Sequence, residues 1–209
     1  MDRTPLRTEL LHQQLLSRCG SCEECGLFAE RTNAVVYRGN MHSPKVMIIG
    51  EAPGADEDAS GLPFCGRFGR LVDHALAKAG FSATDCYICN VVKCRPPRNR
   101  DPLPEEKDAC RKYLNAQMKL VEPEVIISLG RHAFLSLVPD CPIKISKENG
   151  KQFEYGLGDE TIPLFALWHP AYVLRNAPLL EEFEGNFERV WHFLNPIPVE
   201  SEDGEPSNS

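Results

Sequence analysis

The stretch KVMIIGEAPG (Lys45–Gly54) sets a run of strand-forming apolar residues directly against a turn rich in Gly and Pro. Val46 to Ile49 show no alternation of apolar and polar, so both faces of such a strand must be covered. Three further runs have the same form: Cys86–Val92 ending at Lys93, Val125–Leu129 ending at Gly130, and Leu164–Trp168 ending at His169. Helical patterns lie between them, over Phe68–Ala79, Pro104–Val121 with Pro104 suited to a first turn, and Arg131–Leu137. A first helix over about Pro5–Arg18 precedes them. Strand alternating with helix predicts an α/β fold with a central four-stranded, mainly parallel sheet covered on both faces.

A length of 209 residues suits one sizeable domain, expected over 1–198, with an acidic disordered tail over 199–209. Apolar content of 42% and charged content of 25% are those of an ordinary globular protein. No run is long enough to span a bilayer, and MDRTPLRTELLHQQ holds no apolar segment, so a reducing cytosolic (cytoplasmic) setting is expected. There, nine cysteines are expected as ligands and core residues rather than disulfides. A net charge of −7 argues by itself against nucleic acid. The charge is uneven, however. Glu200, Glu202, Asp203 and Glu205 sit in the tail and Glu181, Glu182 and Glu184 form a second acidic run, whereas Lys93, Arg95, Arg98 and Arg100 fall within eight residues. A phosphate backbone responds to such a local field, though a solvated basic loop reads equally well from charge alone.

In parallel sheets ligands bind beyond the carboxyl ends of the strands. The unusual residues sit there: Glu51-Ala52-Pro53-Gly54 after the first strand, Asn90 late in the second, His169-Pro170 after the fourth. They are expected to converge on one crevice. Cys22-x-x-Cys25, Cys94 and Cys110 suggest a metal or iron–sulfur centre, and four thiolates suit either. Cys19-Gly-Ser-Cys22 is a second C-x-x-C in the same stretch. Cys86 and Cys89, three apart on a strand, point to opposite faces and read as core. Cys65 and Cys141 have no assigned role.

The set GEAPGADED (Gly50–Asp58), LPFCGRFG (Leu62–Gly69), NVVKCRPPRNR (Asn90–Arg100) and HPAYVLRN (His169–Asn176), with the cysteine spacing, resembles the family 4 uracil-DNA glycosylases from about Arg18 to Leu194. The resemblance implies a three-layer αβα fold, a [4Fe-4S] cluster on Cys22, Cys25, Cys94 and Cys110, and hydrolysis of the N-glycosidic bond of uracil in DNA, which opens base-excision repair. It prefers Cys22 and Cys25 to Cys19, because their distance to Glu51 fits the family pattern. It implies that His169 donates toward uracil O2, that Asn90 reads the N3–H and O4 edge, and that Phe64 stacks on the extruded base. Glu51 and the backbone of Ala52, Pro53 and Gly54 would form the turn nearest the scissile bond. Relatives in the superfamily carry a water-orienting Asp where this chain has Ala52, which leaves Glu51 to orient water, to steady the sugar cation, or to bond the turn's own backbone. Glu57 would fill the space that excludes thymine's methyl group.

For DNA, the resemblance implies phosphate contacts from Arg95, Arg98 and Arg100, a wedge from Leu174 or Val173, and a phosphate contact from Arg175. Uracil-containing DNA is then the partner and a monomer the expected form. Other readings are a glycosylase for a different modified or deaminated base, a protein that holds uracil-DNA without turnover, and an iron–sulfur redox or scaffold protein. The covalently linking branch of the superfamily carries a His after the second strand, and this chain has none between His74 and His132. Redox partnering finds no dinucleotide motif, since Gly156-Leu-Gly158 is followed by Thr161 where a third Gly would stand.

Overall fold

The structure, a computed structural model, describes residues 4–139, 141 and 145–196. The tail expected over 199–209 lies outside the described residues. In chain order the elements are α1 (Pro5–Gly20), β1 (Arg38–Gly39), β2 (Val46–Gly50), α2 (Ala55–Ser60), α3 (Arg67–Ala79), β3 (Cys86–Asn90), α4 (Pro104–Val121), β4 (Val125–Leu129), α5 (Arg131–Leu137), α6 (Ile145–Glu148), β5 (Lys151–Leu157), β6 (Glu160–Leu167), α7 (Pro170–Arg175) and α8 (Leu180–Leu194).

The sheet runs β1-β3-β2-β4-β6-β5. Its inner four strands, β3, β2, β4 and β6, are parallel and are the four expected runs. The expectation of a four-stranded sheet is corrected by two antiparallel edge strands, β1 on β3 and β5 on β6, which make the sheet six-stranded and mixed. Both edges carry weak sequence signals for physical reasons. β1 has only two residues, and β5 (KQFEYGL) alternates half-buried with exposed positions because only one of its faces meets the core. Pro163 sits where β6 pairs with β5 alone; pairing with β4 begins at Leu164, so the missing N–H removes no bond from the central ladder.

Alternate residues of the inner strands feed two separate cores. Met47, Ile49, Tyr87, Cys89, Ile126 and Leu164 pack with Leu15 and Cys19 of α1, with Leu114 and Met118 of α4 and with Phe134 of α5. Val46, Ile48, Cys86, Ile88, Val125 and Ile127 pack with Val72 and Leu76 of α3 and with Phe183, Phe187 and Val190 of α8, which recur at helical spacing. Helices therefore cover both faces of the sheet, and Cys86 and Cys89 fall on opposite faces. Among the described residues, no helix is long and apolar enough to cross a membrane.

Register fixes where chemistry can happen. Gly50 pairs with Asn90, Ile49 with Ser128, and Leu129 with Leu167, so the carboxyl ends of all four inner strands form one rim. The turn after β2, the end of β3, the start of α5 and His169 all open there.

Candidate active site and cysteine cavity

At that rim lies a cleft of about 180 Å³, walled by the Glu51–Gly54 turn, Glu57, Phe64, Phe68, the Pro96 to Asp101 loop and His169. The turn after β2 is held by the following strand: Val91 N–H donates to the Gly50 carbonyl at 2.9 Å and Val92 N–H to the Glu51 carbonyl at 3.1 Å.

His169 follows β6 and caps α7, with Ala171 N–H donating to its Nδ1 at 3.2 Å. A neutral ring whose Nδ1 accepts must carry its proton on Nε2. Burial, reinforced by the positive fields of Arg175 and His132, pushes its pKa down to about 4, so the ring is neutral near pH 7. Gly130, at φ +88°, makes room for it, since a Cβ there would stand 2.9 Å from that of His169. Phe68, 43% exposed and with its ring centre 6.0 Å from the imidazole in an edge-on arrangement, is a cleft residue that the sequence reading left in a helix.

Asn90 ends β3 at 1% exposure, and its buried Nδ2 has no hydrogen-bond partner among the described residues. It stands behind the cleft's open wall, against Gly50 and Phe64. A Cβ on Gly50 would come within 2.3 Å of Asn90 Oδ1 and 2.5 Å of Phe64 Cζ, so only glycine fits between these two side chains and the strand. Phe64 is itself held at φ +52° with 3% exposure. Glu57 does the holding: its carboxylate accepts from Phe64 N–H at 2.7 Å and from Gly54 N–H.

Glu51 points to a partner that the sequence reading missed. Its Oε1 is 2.9 Å from His132 Nδ1, and His132 Nε2 is 3.6 Å from Asp101 Oδ2. Burial raises the Glu51 pKa; the Asp101 charge pushes the same way, against His132 and Lys107. His132 is the second residue of α5, which starts at the same rim. That position was the available signal.

The basic loop is less free than its composition suggests. Lys93 is a correction to it: the side chain is 1% exposed and its Nζ donates to the Asn90 carbonyl. Arg100, expected as a phosphate contact, is exposed and makes a two-pronged bond to Glu106, at 2.8 and 2.6 Å, while that carboxylate also caps α4 through Leu103 N–H. Arg95 donates to Asn99 at 2.7 Å, and Arg98 turns the chain at φ +55° with its side chain in solvent. The segment after His169 is the helix α7 rather than a protruding loop. It buries Val173 in the core, which removes it as a wedge, and leaves Leu174 half-buried and Arg175 exposed.

Cys22, Cys25, Cys94 and Cys110 line a single second cavity together with Cys19, Arg31 and Lys93. All of these thiols are free. Arg31 donates to Cys94 Sγ at 3.1 Å and Lys93 N–H to Cys110 Sγ at 3.3 Å. Burial pushes the thiol pKa up to about 11 at Cys110 and about 12 at Cys19, with Lys93 opposing it at both. Among the described residues, the group of metal-binding side chains whose ligand atoms all lie within 4.8 Å of one another is Glu51, Asp101 and His132; no three of the cysteine sulfurs meet that closely.

Comparison with known proteins gives this architecture its class first. A family model described as the uracil DNA glycosylase superfamily matches residues 36–195, from before β1 to the end of α8. The type-4 uracil-DNA glycosylase of Thermotoga maritima is 42% identical over 168 residues, covering 80% of this chain and 85% of that protein. That of Archaeoglobus fulgidus is 42% identical over 173 residues (81% and 86%), and that of Pyrobaculum aerophilum 41% over 192 residues (88% and 97%). The chain belongs to the uracil-DNA glycosylase superfamily, within its type-4 family.

Proposed function

We propose that this protein excises uracil from DNA by hydrolysing the N-glycosidic bond, the opening step of base-excision repair, and that it carries a [4Fe-4S] cluster. The observation that carries the reading is Asn90, a buried carboxamide whose Nδ2 has no hydrogen-bond partner among the described residues. An unpaired buried donor costs about 1–3 kcal/mol. Uracil, extruded from the duplex, relieves it: O4 accepts from Nδ2 while N3–H donates to Oδ1. Cytosine presents the reverse pattern at both positions. Phe64 supplies a stacking surface worth about 1–3 kcal/mol. Glu57, clamped by its two backbone bonds, occupies the side of the pocket that thymine's methyl group would need.

Departure of uracil leaves negative charge on the base around N1 and O2 and positive charge on the sugar. His169 answers the first with a neutral Nε2–H aimed at O2, its tautomer set by Ala171, and a donor placed on developing charge contributes about 10²–10³ in rate. Glu51 answers the second. Its carboxylate, steadied by His132, lies on the turn nearest the bond that breaks and orients the attacking water. Ala52, Pro53 and Gly54 shape that turn. Leu174 serves as the wedge in the emptied stack. Arg95, Arg98 and Arg175 contact phosphates, and Arg100 stiffens their loop through Glu106. One chain supplies every group, so a monomer suffices.

Cys22, Cys25, Cys94 and Cys110 fit the cluster. Four thiolates lining one cavity suit zinc or a cluster alike, and the likeness to the type-4 glycosylases favours the cluster. The N–H and guanidinium donors suit bound thiolates. When bound, it cross-links the N-terminal segment, the loop after β3 and α4. Cys19 is assigned to the core with Leu15 and Leu27.

The test is an alkali-cleavage assay on oligonucleotides carrying one U, one T or one C, single- and double-stranded, beside His169→Ala. Cleavage at U alone that disappears in the variant is expected. A cluster-loaded protein that leaves U untouched would overturn the reading.

A further inference from the structure

Lys93 is a long cation buried at 1% exposure with no carboxylate partner among the described residues. A buried ammonium without a counter-charge is costly. It lines the cysteine cavity, whose one other cation is Arg31 and whose one carboxylate, Glu24, is paired with Lys112, and its field acts on Cys19, Cys89 and Cys110. Its other end of influence is the base pocket, because Nζ donates to the carbonyl of Asn90. The backbone between is fixed at each step. Val91 and Val92 are bonded to Gly50 and Glu51, the Lys93 carbonyl accepts from Val35 N–H at 2.7 Å, and Lys93 N–H donates to Cys110 Sγ.

We propose that Lys93 is a positioning residue that couples the iron–sulfur site to uracil selection, holding the Asn90 backbone with an ammonium whose counter-charge is the cysteine-bound cluster. The inference rests on the function proposed above. Four thiolates around a [4Fe-4S]²⁺ core sum to a net charge of about −2, which supplies the anion that the described residues do not. The Asn90 carbonyl accepts from that ammonium, so the carboxamide keeps the orientation that distinguishes uracil from cytosine.

The experiment uses the holoprotein as wild type, Lys93→Met and Lys93→Arg. Two probes are duplexes containing either non-hydrolysable 2′-fluoro-2′-deoxyuridine or a tetrahydrofuran abasic analogue. The second readout is the cluster's reduction potential, with visible absorbance per chain as the measure of loading. In Lys93→Met, affinity for the fluorouridine duplex should fall about tenfold relative to the abasic duplex, the value of one charge-assisted hydrogen bond. The potential should shift negative, because a cation beside the cluster has gone. Lys93→Arg, which keeps the charge, should retain the potential and most of the preference. Parallel weakening toward both duplexes, as loss of folded protein would give, overturns the proposal, and so does an unchanged potential in Lys93→Met. A wild type that ignores uracil overturns the function and this inference together, whereas a wild type that selects uracil beside an unaltered Lys93→Met overturns the inference alone.

Discussion

The cysteine cavity and the uracil cleft sit at opposite ends of the five residues Asn90 to Cys94, and they treat their polar atoms in opposite ways. In the cavity, donors already point at sulfur: Arg31 at Cys94 and the Lys93 backbone at Cys110. In the cleft, Asn90 Nδ2 is left unpaired and Glu51 is held with its pKa raised. The first pattern suits a permanent occupant that forms part of the fold. The second suits a transient one, because unsatisfied groups are what a visiting ligand can satisfy.

The comparison breaks most visibly at Cys94. Cys94→Ser should remove the visible absorbance of the proposed cluster and lower stability by more than about 4 kcal/mol, seen together in absorbance and thermal melting; a variant that melts normally with full colour would disprove this ligand assignment. His169→Ala lies on the cleft side and should lower single-turnover cleavage about 10²–10³-fold with the melting transition and the colour kept. A variant that loses colour as well would erase the distinction between the two regions.

A third expectation concerns pH. His169 is held at about 4, below the ordinary 6.5, so the unfolded chain takes up the proton first. The stability tied to this group is complete above pH 6.5 and is lost as pH falls toward 4, by up to about 3 kcal/mol. Melting between pH 7.5 and 4.5 should therefore fall less steeply in His169→Gln than in wild type. Equal slopes would mean that the ring is not buried as neutral imidazole. Asn90→Asp should cost uracil about 2 kcal/mol, roughly thirtyfold, through a carboxylate facing O4, checked by the ratio of uracil to abasic affinity. Arg175→Ala is the mildest. It should reduce the salt dependence of DNA binding by about one unit of slope and leave base choice as it was.

Much of the fold can be read from the chain because buried parallel strands carry a strong signal. Val125–Leu129, Pro104–Val121 and Arg131–Leu137 have the same limits in the sequence reading and in the structure. β5 and β1 escaped because edge strands need no continuous apolar run. The site divides in the same way. Asn90, Phe64 and His169 sit in local motifs next to strand ends, whereas His132 reaches Glu51 from 81 positions further along, a proximity that only the parallel order of β2 and β4 creates. Lys93 looked like surface charge because composition does not tell a solvated cation from a buried one, nor does it show that the exposed Arg100 is bonded to Glu106.

Gly50 has a consequence for how this enzyme could change its substrate. One missing methyl group leaves space for both Asn90 and Phe64, the side chains proposed to select the base and to stack on it, so a mutation at this codon would disturb both at once. Any path to a new base therefore has to run through Asn90 or Phe64 one at a time, with position 50 unchanged throughout. Substitutions there are dead ends for natural drift and for directed evolution alike, and a saturation library at residue 50 should return glycine alone.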